Sequence, residues 1–380
     1  MGASIVKEYD VIIIGGGVIG CSIAYELAKQ HKQVAVLEQG EISSGASRAA
    51  AGILGAQAEI DEEGPLLQLA LSSRELFKNR VNELREVTGI DAELIEKGVL
   101  KVATTEDGLE ELKRKFSTYK KWDPSVEWLT TSELKKREKM LSSTIKGGIS
   151  LPNDGQLNAF KYTKALAYGT AVYGGDLYEH CHVSQIIEEN GFVKGVTTSQ
   201  GTFATSSVVV TTGAWTSKLL PYVTEKKVYP VKGECMLLKS NKPILKHTIY
   251  TPEAFYIVPK AGGKLLVGAT RTPHTFDRDV TFGGMSKLFE KAKELIPELS
   301  HSVFLKSWTG LRPQTDDGWP YLGESPYMKG CFLAYGHYRN GILLSAKTGE
   351  LMRDLINGTQ PKEHFFNAFS PERAYSLKGG

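Results

Sequence analysis

The segment 10–40 carries a strand-like run, three consecutive glycines, a helical pattern and a second strand-like run that ends on an acid. Residues 11–14 are apolar and β-branched at consecutive positions, which is typical of a strand buried on both faces. Residues 15–20 fit the pattern G-x-G-x-x-G, and the next helix points its free N–H groups and positive dipole end at that turn. Glu38 closes the second strand, where a carboxylate can accept from a ribose 2′-hydroxyl. This order predicts a dinucleotide site, whereas the glycines alone would fit an ordinary turn equally well.

Size, charge and cysteine spacing narrow the functional class. A chain of 380 residues exceeds the size at which single cores stop growing, so we expect two domains. The net charge of +3 is spread out, without a basic tract, which argues against a nucleic-acid partner. The four cysteines form no C-x-x-C pair, which favours a reducing compartment and argues against a zinc site. No apolar run approaches the ~18 residues of a membrane span and no signal-peptide pattern is present, so we expect a cytoplasmic protein without a membrane or metal partner.

The order of strand-like and helical patterns predicts a mixed α/β fold in which the chain leaves the first domain twice and returns twice. We expect a Rossmann-like domain with a parallel central sheet from residues 1–85, 145–226 and 305–380. We expect a second, substrate-binding domain, built on a mostly antiparallel sheet, from residues 86–144 and 227–304.

Two glycine-containing turns predict hairpins. Asn-Gly at 190–191 is a strong two-residue hairpin signal. Gly-Gly at 262–263 lies between two apolar runs, and a two-residue turn there places Arg271 opposite Ala254, on the same face of the hairpin as Tyr256. The alternative for Arg271 is a strand-end arginine that reaches into water.

Three further segments suit close approach of the backbone to a ligand. The buried run 208–210 ends in a small-residue turn that contains Gly213. Residues 46–58 are small, which lets backbone meet a flat ring but also suits a tightly packed helix. Gly341 begins a helix after a strand, where the dipole can stabilise negative charge, although Asn340 would also make an ordinary N-cap.

Taken together, these motifs resemble the D-amino-acid oxidase family of FAD-dependent amine oxidases, over about residues 8–365. The motifs that carry the resemblance are, in chain order, GGGVIG with Glu38, SSGASRAAAGILGAQAE, VVVTTGAW, LRPQTDDGWPYLG and GHYRNGILL. The last two are similar to those of the glycine-oxidising branch, which takes part in thiamine biosynthesis.

The resemblance implies a non-covalently bound FAD. Monomeric sarcosine oxidases attach their flavin through a cysteine in the stretch that reads GLRPQ here, and this stretch has no cysteine. The residues that the resemblance and the turns assign to the cofactor are Gly15, Gly17, Val18, Ile19, Gly20, Glu38, Gln39, Ala46, Ser47, Ala51, Gly52, Ile53, Val183, Gly213, His337, Tyr338, Arg339, Asn340, Gly341, Ile342 and Leu343.

The resemblance also implies a substrate site. Arg312 would bind the substrate carboxylate through its guanidinium fork, helped by Tyr256, with Arg339 as a second active-site arginine. The predicted hairpin register adds Arg271 and Ala254. A lone arginine in a loop is usually exposed or ion-paired, so the assignment of Arg312 depends on the resemblance.

The chemistry implied by the family is oxidative deamination. Glycine, sarcosine and small D-amino acids would pass a hydride from Cα to flavin N5 and give a 2-oxo acid (glyoxylate from glycine), ammonia and, with dioxygen, hydrogen peroxide. No side chain is assigned as an acid or base, because the flavin performs the redox step. A homotetramer is also implied. A sarcosine oxidase or dehydrogenase, an NAD-dependent dehydrogenase and a tRNA-modifying flavoprotein domain remain as alternatives.

Overall fold

The computed structural model describes residues 5–223, 227–242 and 245–374. The predicted domain ends at residues 1, 226 and 380 lie outside these ranges. The predicted glycine turn lies at the end of a strand in a central sheet whose described strands are parallel, apart from one antiparallel edge strand. In spatial order the strands of the central sheet are Tyr321–Glu324, Cys331–Tyr335, Val208–Val210, Val11–Ile14, Val34–Leu37 and Asp176–Tyr178.

Both faces of the central sheet are covered, as the run of consecutive apolar residues predicts. Ile13 and Val36 point into a cluster with the helices, whereas Ile12 packs with Phe203 of a smaller sheet. The strands of the smaller sheet are Ile5–Glu8, Gly201–Ala204, Phe192–Thr198 and Val183–Glu189. Its hairpin turn holds Asn190 and Gly191 in the left-handed region and pairs Glu189 with Phe192, so the predicted two-residue turn is confirmed.

The helices of the described residues cover two sheets. Four of them, Val18–Ala28, Pro65–Thr88, Ala159–Val172 and Gly341–Ile356, pack together on one face of the central sheet, whereas Glu106–Trp122, Thr131–Arg137 and Phe282–Leu295 pack on the larger sheet described below. The α-helices are Val18–Ala28, Ala46–Ala49, Ala56–Glu59, Pro65–Thr88, Glu106–Trp122, Thr131–Arg137, Ala159–Val172, Thr216–Leu219, Phe282–Leu295 and Gly341–Ile356. Short 3-10 turns occur at Gly213–Trp215, Pro297–His301, Phe366–Phe369 and Pro371–Ala374.

Two of these helices, Val18–Ala28 and Gly341–Ile356, pack closely. The Ser22 hydroxyl donates to Ser345 O at 2.8 Å. A Cβ on Gly349 would lie 2.5 Å from Ser22 Oγ, so glycine permits this spacing. Both helices begin at the same cavity, which is described below, and this contact fixes their spacing.

A larger, mostly antiparallel sheet forms the second half of the structure, as predicted. In spatial order its described strands are Thr272–Pro273, Val228–Lys239, Lys264–Gly268, Tyr256–Lys260, Thr248–Tyr250, Val99–Ala103, Gly147–Leu151 and Glu127–Thr130, with Val303–Thr315 on the other side of Val228–Lys239. The strands Thr248–Tyr250 and Val99–Ala103 pair in parallel. A separate two-stranded ladder joins Ile53–Leu54 to Gly155–Gln156.

Two strands of the large sheet fall in segments that the sequence analysis assigns to the first domain. They are Gly147–Leu151 and Val303–Thr315, and the predicted boundaries at 145 and 305 separate them from the sheet in which they pair. The division of the residues between two domains stays a prediction.

The register of the second predicted hairpin is wrong by one residue. Tyr256 pairs with Gly268, not Ala269, and Lys260 pairs with Lys264, so residues 261–263 form a three-residue turn. This register sets Ile257 opposite Val267, and both are fully buried in one apolar cluster. Burying this pair decides the register, because a slip of one residue would turn every side chain to the other face.

Candidate active site

The glycine turn holds the backbone open at the start of the helix Val18–Ala28. Gly15 has a φ of +113°, and a Cβ there would lie 2.7 Å from Thr211 O. A Cβ on Gly20 would lie 2.0 Å from Gly15 O, so only glycine lets the helix pack this close to the turn. The N-cap residue Gly17 has no side chain, and Ser47 Oγ accepts from the Val18 N–H at 2.9 Å. Ser47 thus occupies one N–H group of the first turn, and the positive end of the helix still favours an anion in the cavity.

Glu38 lies at the end of the second strand and faces the glycine turn. Its carboxylate accepts from the Gly16 N–H at 2.8 Å and from the Gly40 N–H at 2.9 Å. These bonds fix the carboxylate beside the turn and leave it lone pairs for further donors. This is the geometry that the sequence predicts for binding a ribose hydroxyl.

A cavity of about 740 Å³ extends from Glu38 past the glycine turn to the helix start at Gly341. This volume lies within the range of about 300–1,000 Å³ that is typical of ligand and cofactor sites. The predicted cofactor residues that line it are Gly15, Gly17, Val18, Ile19, Glu38, Gln39, Ala46, Ser47, Val183, Gly213, His337, Tyr338, Arg339, Gly341 and Ile342.

Six predicted cofactor residues do not line this cavity: Gly20, Ala51, Gly52, Ile53, Asn340 and Leu343. Gly20 sets the spacing between helix and turn, and Leu343 is buried in the core with the helices. Ala51, Gly52 and Ile53 line an adjoining, smaller cavity. Asn340 precedes the helix, and its N–H donates to His337 O at 3.0 Å. Their contacts with a cofactor stay predictions.

The second helix at the large cavity, Gly341–Ile356, also begins without a side-chain cap, because the Asn340 side chain makes no capping hydrogen bond. Burial lowers the pKa of the neighbouring His337 to about 3, so its imidazole is neutral at neutral pH. His337 therefore adds no charge to this wall, and the positive end of the helix dipole contributes positive potential there, as predicted for a site that stabilises negative charge.

These features fit FAD on the chemistry of the donor groups. The glycine cradle and the positive end of the helix Val18–Ala28 suit a diphosphate, Glu38 suits a ribose, and the uncapped helix at Gly341 suits a ring that gains negative charge on reduction. The cavity is long and continuous between these points.

A second cavity of about 140 Å³ adjoins the first. The two share a wall formed by Ala46, Ala50, Tyr338, Arg339 and Ile342. The smaller cavity is lined by all the predicted substrate residues, which are Arg312, Tyr256, Arg339, Arg271 and Ala254.

Alternate residues of the strand Val303–Thr315 line different cavities. Leu311 and Pro313 line the large cavity, whereas Gly310 and Arg312 line the small one. This follows from the two-residue period of side chains along a strand.

Arg312 presents a guanidinium to the small cavity. Its Nη1 donates to Thr270 O at 3.2 Å, and it forms no ion pair with a carboxylate in the described part of the chain. A Cβ on Gly233, on the neighbouring strand, would lie 2.2 Å from Nη2, so the guanidinium occupies the space that this glycine leaves. A cation held in place without an acid suits a carboxylate ligand.

Arg339 is engaged differently from Arg312. Its Nη2 lies 3.0 Å from Glu59 Oε2 and donates to the Tyr250 hydroxyl at 2.8 Å, while its Nε donates to Glu59 Oε2 at 3.1 Å. Burial alone would lower the pKa of Arg339, but Glu59 and then Tyr250 raise it above its usual value. Arg339 therefore stays charged and is balanced by Glu59.

Tyr256, Ala254 and Arg271 meet at the outer part of the small cavity. The Tyr256 hydroxyl lies 3.5 Å from Cys235 Sγ. Burial, and then the neighbouring Cys235, raise the pKa of Tyr256 well above its usual value, so it remains a neutral phenol. Arg271 is exposed and lines the cavity, although the hairpin pairing that was expected to place it there does not form.

Sequence reasoning missed Glu59, Tyr250 and Lys260. Glu59 had a usable signal, because it is the only acid in the small-residue motif 43–59. Tyr250 lies in no motif. Lys260 donates to Ala51 O at 2.7 Å and to Leu157 O at 2.8 Å behind the wall of the small cavity, and burial lowers its pKa to about 7.

The described residues contain neither a membrane-spanning helix nor a metal-binding cluster. No helix among them is long and apolar enough to span a bilayer. No cluster of three or more His, Cys, Asp or Glu side chains in the described ranges could hold a metal ion. The cysteines Cys21, Cys181, Cys235 and Cys331 are all free thiols and buried.

Comparison with known proteins agrees with this geometry. Residues 10–355 match the family described as "DAO: FAD dependent oxidoreductase". A glycine oxidase of Geobacillus kaustophilus is 47% identical over 92% of this chain and 93% of its own. A glycine oxidase of Bacillus licheniformis is 39% identical over 97% of this chain and 98% of its own. The crystal structure of glycine oxidase from Geobacillus kaustophilus matches with a TM-score of 0.92 at 45% identity, covering 96% of this chain and 98% of the other.

The family match spans both the glycine turn and the helix that begins at Gly341, so it includes both ends of the large cavity. It confirms the resemblance found in the motifs and the prediction of FAD as the cofactor, and it makes the NAD-dependent alternative wrong. On sequence, fold and site alike, the chain belongs to the DAO family of FAD-dependent oxidoreductases.

Proposed function

We propose that this protein is an FAD-dependent oxidase of glycine and other small amino acids, including sarcosine and small D-amino acids. The observation that carries the proposal is the Arg312 guanidinium, which has no acid partner in the described residues and lines a cavity of about 140 Å³ directly beside the cofactor cavity. The two relatives and the solved structure compared above, all glycine oxidases, support the same substrate.

The substrate carboxylate binds to Arg312 and to the Tyr256 hydroxyl. The raised pKa of Tyr256, caused first by burial, keeps its proton available as a hydrogen-bond donor. The guanidinium offers a two-pronged contact that fixes the plane of the carboxylate. Substrate orientation therefore comes from these two side chains.

The walls of the small cavity restrict the substrate to small molecules. Several of its lining residues are alanines, namely Ala46, Ala49, Ala50, Ala51, Ala254 and Ala269. With the carboxylate on Arg312, the Cα of a short amino acid points to the wall shared with the larger cavity. Fixing the reacting carbon in one place speeds the reaction, because translational and rotational entropy is lost when the substrate binds and not in the chemical step.

FAD supplies the two-electron acceptor for the Cα–H bond when it is bound in the large cavity. The chain's own part is to bind the substrate, to exclude bulk water with the alanine-rich wall, and to keep Arg339 as part of that wall through its pairing with Glu59. No side chain is needed as a base if the amine reacts in its neutral form.

The products follow from this chemistry as part of the proposal. They are a 2-oxo acid (glyoxylate from glycine), ammonia and hydrogen peroxide, with dioxygen as the final acceptor. A role in thiamine biosynthesis, a homotetrameric assembly and a cytoplasmic location are further parts of the proposal that rest on the family resemblance.

The test is to mix the purified yellow protein with glycine, sarcosine or D-alanine. Flavin bleaching without oxygen, and peroxide release with oxygen, are expected for glycine. Faster bleaching by sarcosine than by glycine would favour the sarcosine oxidase alternative. Absence of bleaching by all three would overturn the proposal.

A further inference from the structure

Glu59 is a buried carboxylate of which only one oxygen is used. Its side chain is 8% exposed, and both the hydrogen bond from Arg339 Nε and the ion-pair contact of Arg339 Nη2 reach Oε2. The other oxygen, Oε1, accepts no hydrogen bond from any residue that the structure describes. Glu59 lines the small cavity, so this acceptor is available to a ligand there. The Oε1 atom keeps some exposure inside the cavity, so an N–H group of a ligand can replace water at this acceptor.

The cavity also contains the opposite charge at Arg312. Arg312 and Glu59 both act electrostatically on the hydroxyls of Tyr250 and Tyr256, in opposite directions. The two rings stack with centroids 6.4 Å apart, so the cation and the anion border one small space. Such an arrangement is complementary to a small molecule with a carboxylate at one end and an N–H donor at the other.

We propose that Glu59 is the residue that recognises the substrate amine, its Oε1 accepting a hydrogen bond from the substrate nitrogen while Arg312 holds the carboxylate. This inference rests on the proposed function and deepens it. It assigns to Glu59 the selection of amino acids over simple carboxylic acids. A ligand without an N–H group makes no hydrogen bond with Oε1 and forgoes this contact.

The same pairing explains why Arg339 does not compete with Arg312 for the carboxylate. Glu59 Oε2 balances Arg339, so among the described residues Arg312 and the exposed Arg271 are the cavity's arginines without an ion pair, and Glu59 Oε1 is left to accept from a ligand. Removal of the Glu59 charge should therefore have opposite effects on two ligands. A ligand with an amine then meets a neutral acceptor instead of a charged one, whereas a plain carboxylate gains the attraction of an unbalanced Arg339.

The test compares glycine with acetate on the wild-type and Glu59→Gln holoenzymes. Glycine affinity is taken from the concentration dependence of anaerobic flavin reduction, and acetate affinity from calorimetry. In Glu59→Gln we expect glycine to bind about tenfold more weakly, the difference between a charged and a neutral hydrogen bond. Acetate should bind as tightly as before or more tightly. Equal weakening of both ligands would overturn the inference.

Two controls separate recognition from a structural effect. Glu253→Gln changes an exposed acid at the rim of the same cavity and should leave glycine affinity within about twofold. If Glu59 acted only by balancing Arg339, its effect on glycine would vanish in an Arg339→Met background. We expect it to persist there at about tenfold.

Failure of the proposed function would be visible separately. If glycine does not reduce the wild-type flavin, the proposed function is wrong, and glycine becomes an unreactive ligand whose affinity is measured by the same calorimetry as acetate. The comparison between the two ligands then still decides the role of Glu59.

Discussion

Replacement of Gly233 by alanine should damage substrate binding without damaging the fold. Gly233 lies in the strand Val228–Lys239 with an ordinary backbone conformation, so alanine is tolerated there. The added Cβ would lie 2.2 Å from Nη2, 2.3 Å from Nη1 and 2.4 Å from Cζ of Arg312. The guanidinium is the far end of a flexible side chain, so it moves while the sheet stays in place.

The size of the effect follows from the displacement. Ordinary contact between heavy atoms needs about 3.5 Å, so the guanidinium must shift by about 1 Å or more. A shift of that size breaks the alignment of a charge-assisted, two-pronged contact. We expect the apparent KM for glycine to rise about 10- to 100-fold, with the flavin content and Tm close to wild type. Oxygen consumption against glycine concentration gives KM, and absorbance of the flavin gives its content.

A double-variant cycle tests whether Gly233→Ala acts through Arg312. Arg312→Met should raise KM by a similar factor, and Gly233→Ala should add little in that background, because it acts through Arg312. Lys306→Met, on the same strand as Arg312 but exposed, is the matched control and should leave KM unchanged. A normal KM in Gly233→Ala, or fully additive effects, would show that Arg312 does not bind the substrate from this position.

Three further predictions test other parts of the site. Acid precipitation should release the yellow colour into the supernatant. Among the described cysteines only Cys181 lines the large cavity, and it lies at the Glu38 end. Colour left in the pellet would contradict non-covalent binding. Arg271→Met should lower kcat/KM roughly two- to fivefold for an N-substituted glycine that carries a second acid, less at high salt, and hardly for glycine itself; an equal effect on both would exclude the role. His337 has a folded pKa of about 3, lowered by burial. The unfolded chain therefore binds more protons below about pH 6.5, and the wild type should lose about 2 kcal/mol of stability by about pH 5 that His337→Gln does not lose, as measured by denaturant unfolding.

The nucleotide-binding half was predictable because its signals are local. The buried strand 11–14, the glycines at 15–20 and the acid at 38 follow one another along the chain, and the structure keeps them together. The Asn-Gly turn at 190–191 was predictable for the same reason, since both residues adopt the left-handed region that a two-residue hairpin needs.

The substrate half was less predictable because its determinants are distant in sequence. The turn at 261–263 has two glycines, yet the burial of Ile257 against Val267 set the register instead of the shortest turn. Glu59 and Arg339 meet across 280 positions of chain, and no local pattern encodes that contact. The packing of the helix Gly341–Ile356 against the strand Ile53–Leu54 and the helix Pro65–Thr88 brings them together.

The strand Val303–Thr315 has a consequence for how such an enzyme can change over evolutionary time. Its odd positions 311 and 313 line the large cavity and its even positions 310 and 312 line the small one. Mutations at one set leave the other set untouched, because neighbouring side chains leave the strand in opposite directions. A lineage can therefore acquire a new substrate preference by changes at alternate positions of this single strand while its hold on the cofactor is inherited unaltered.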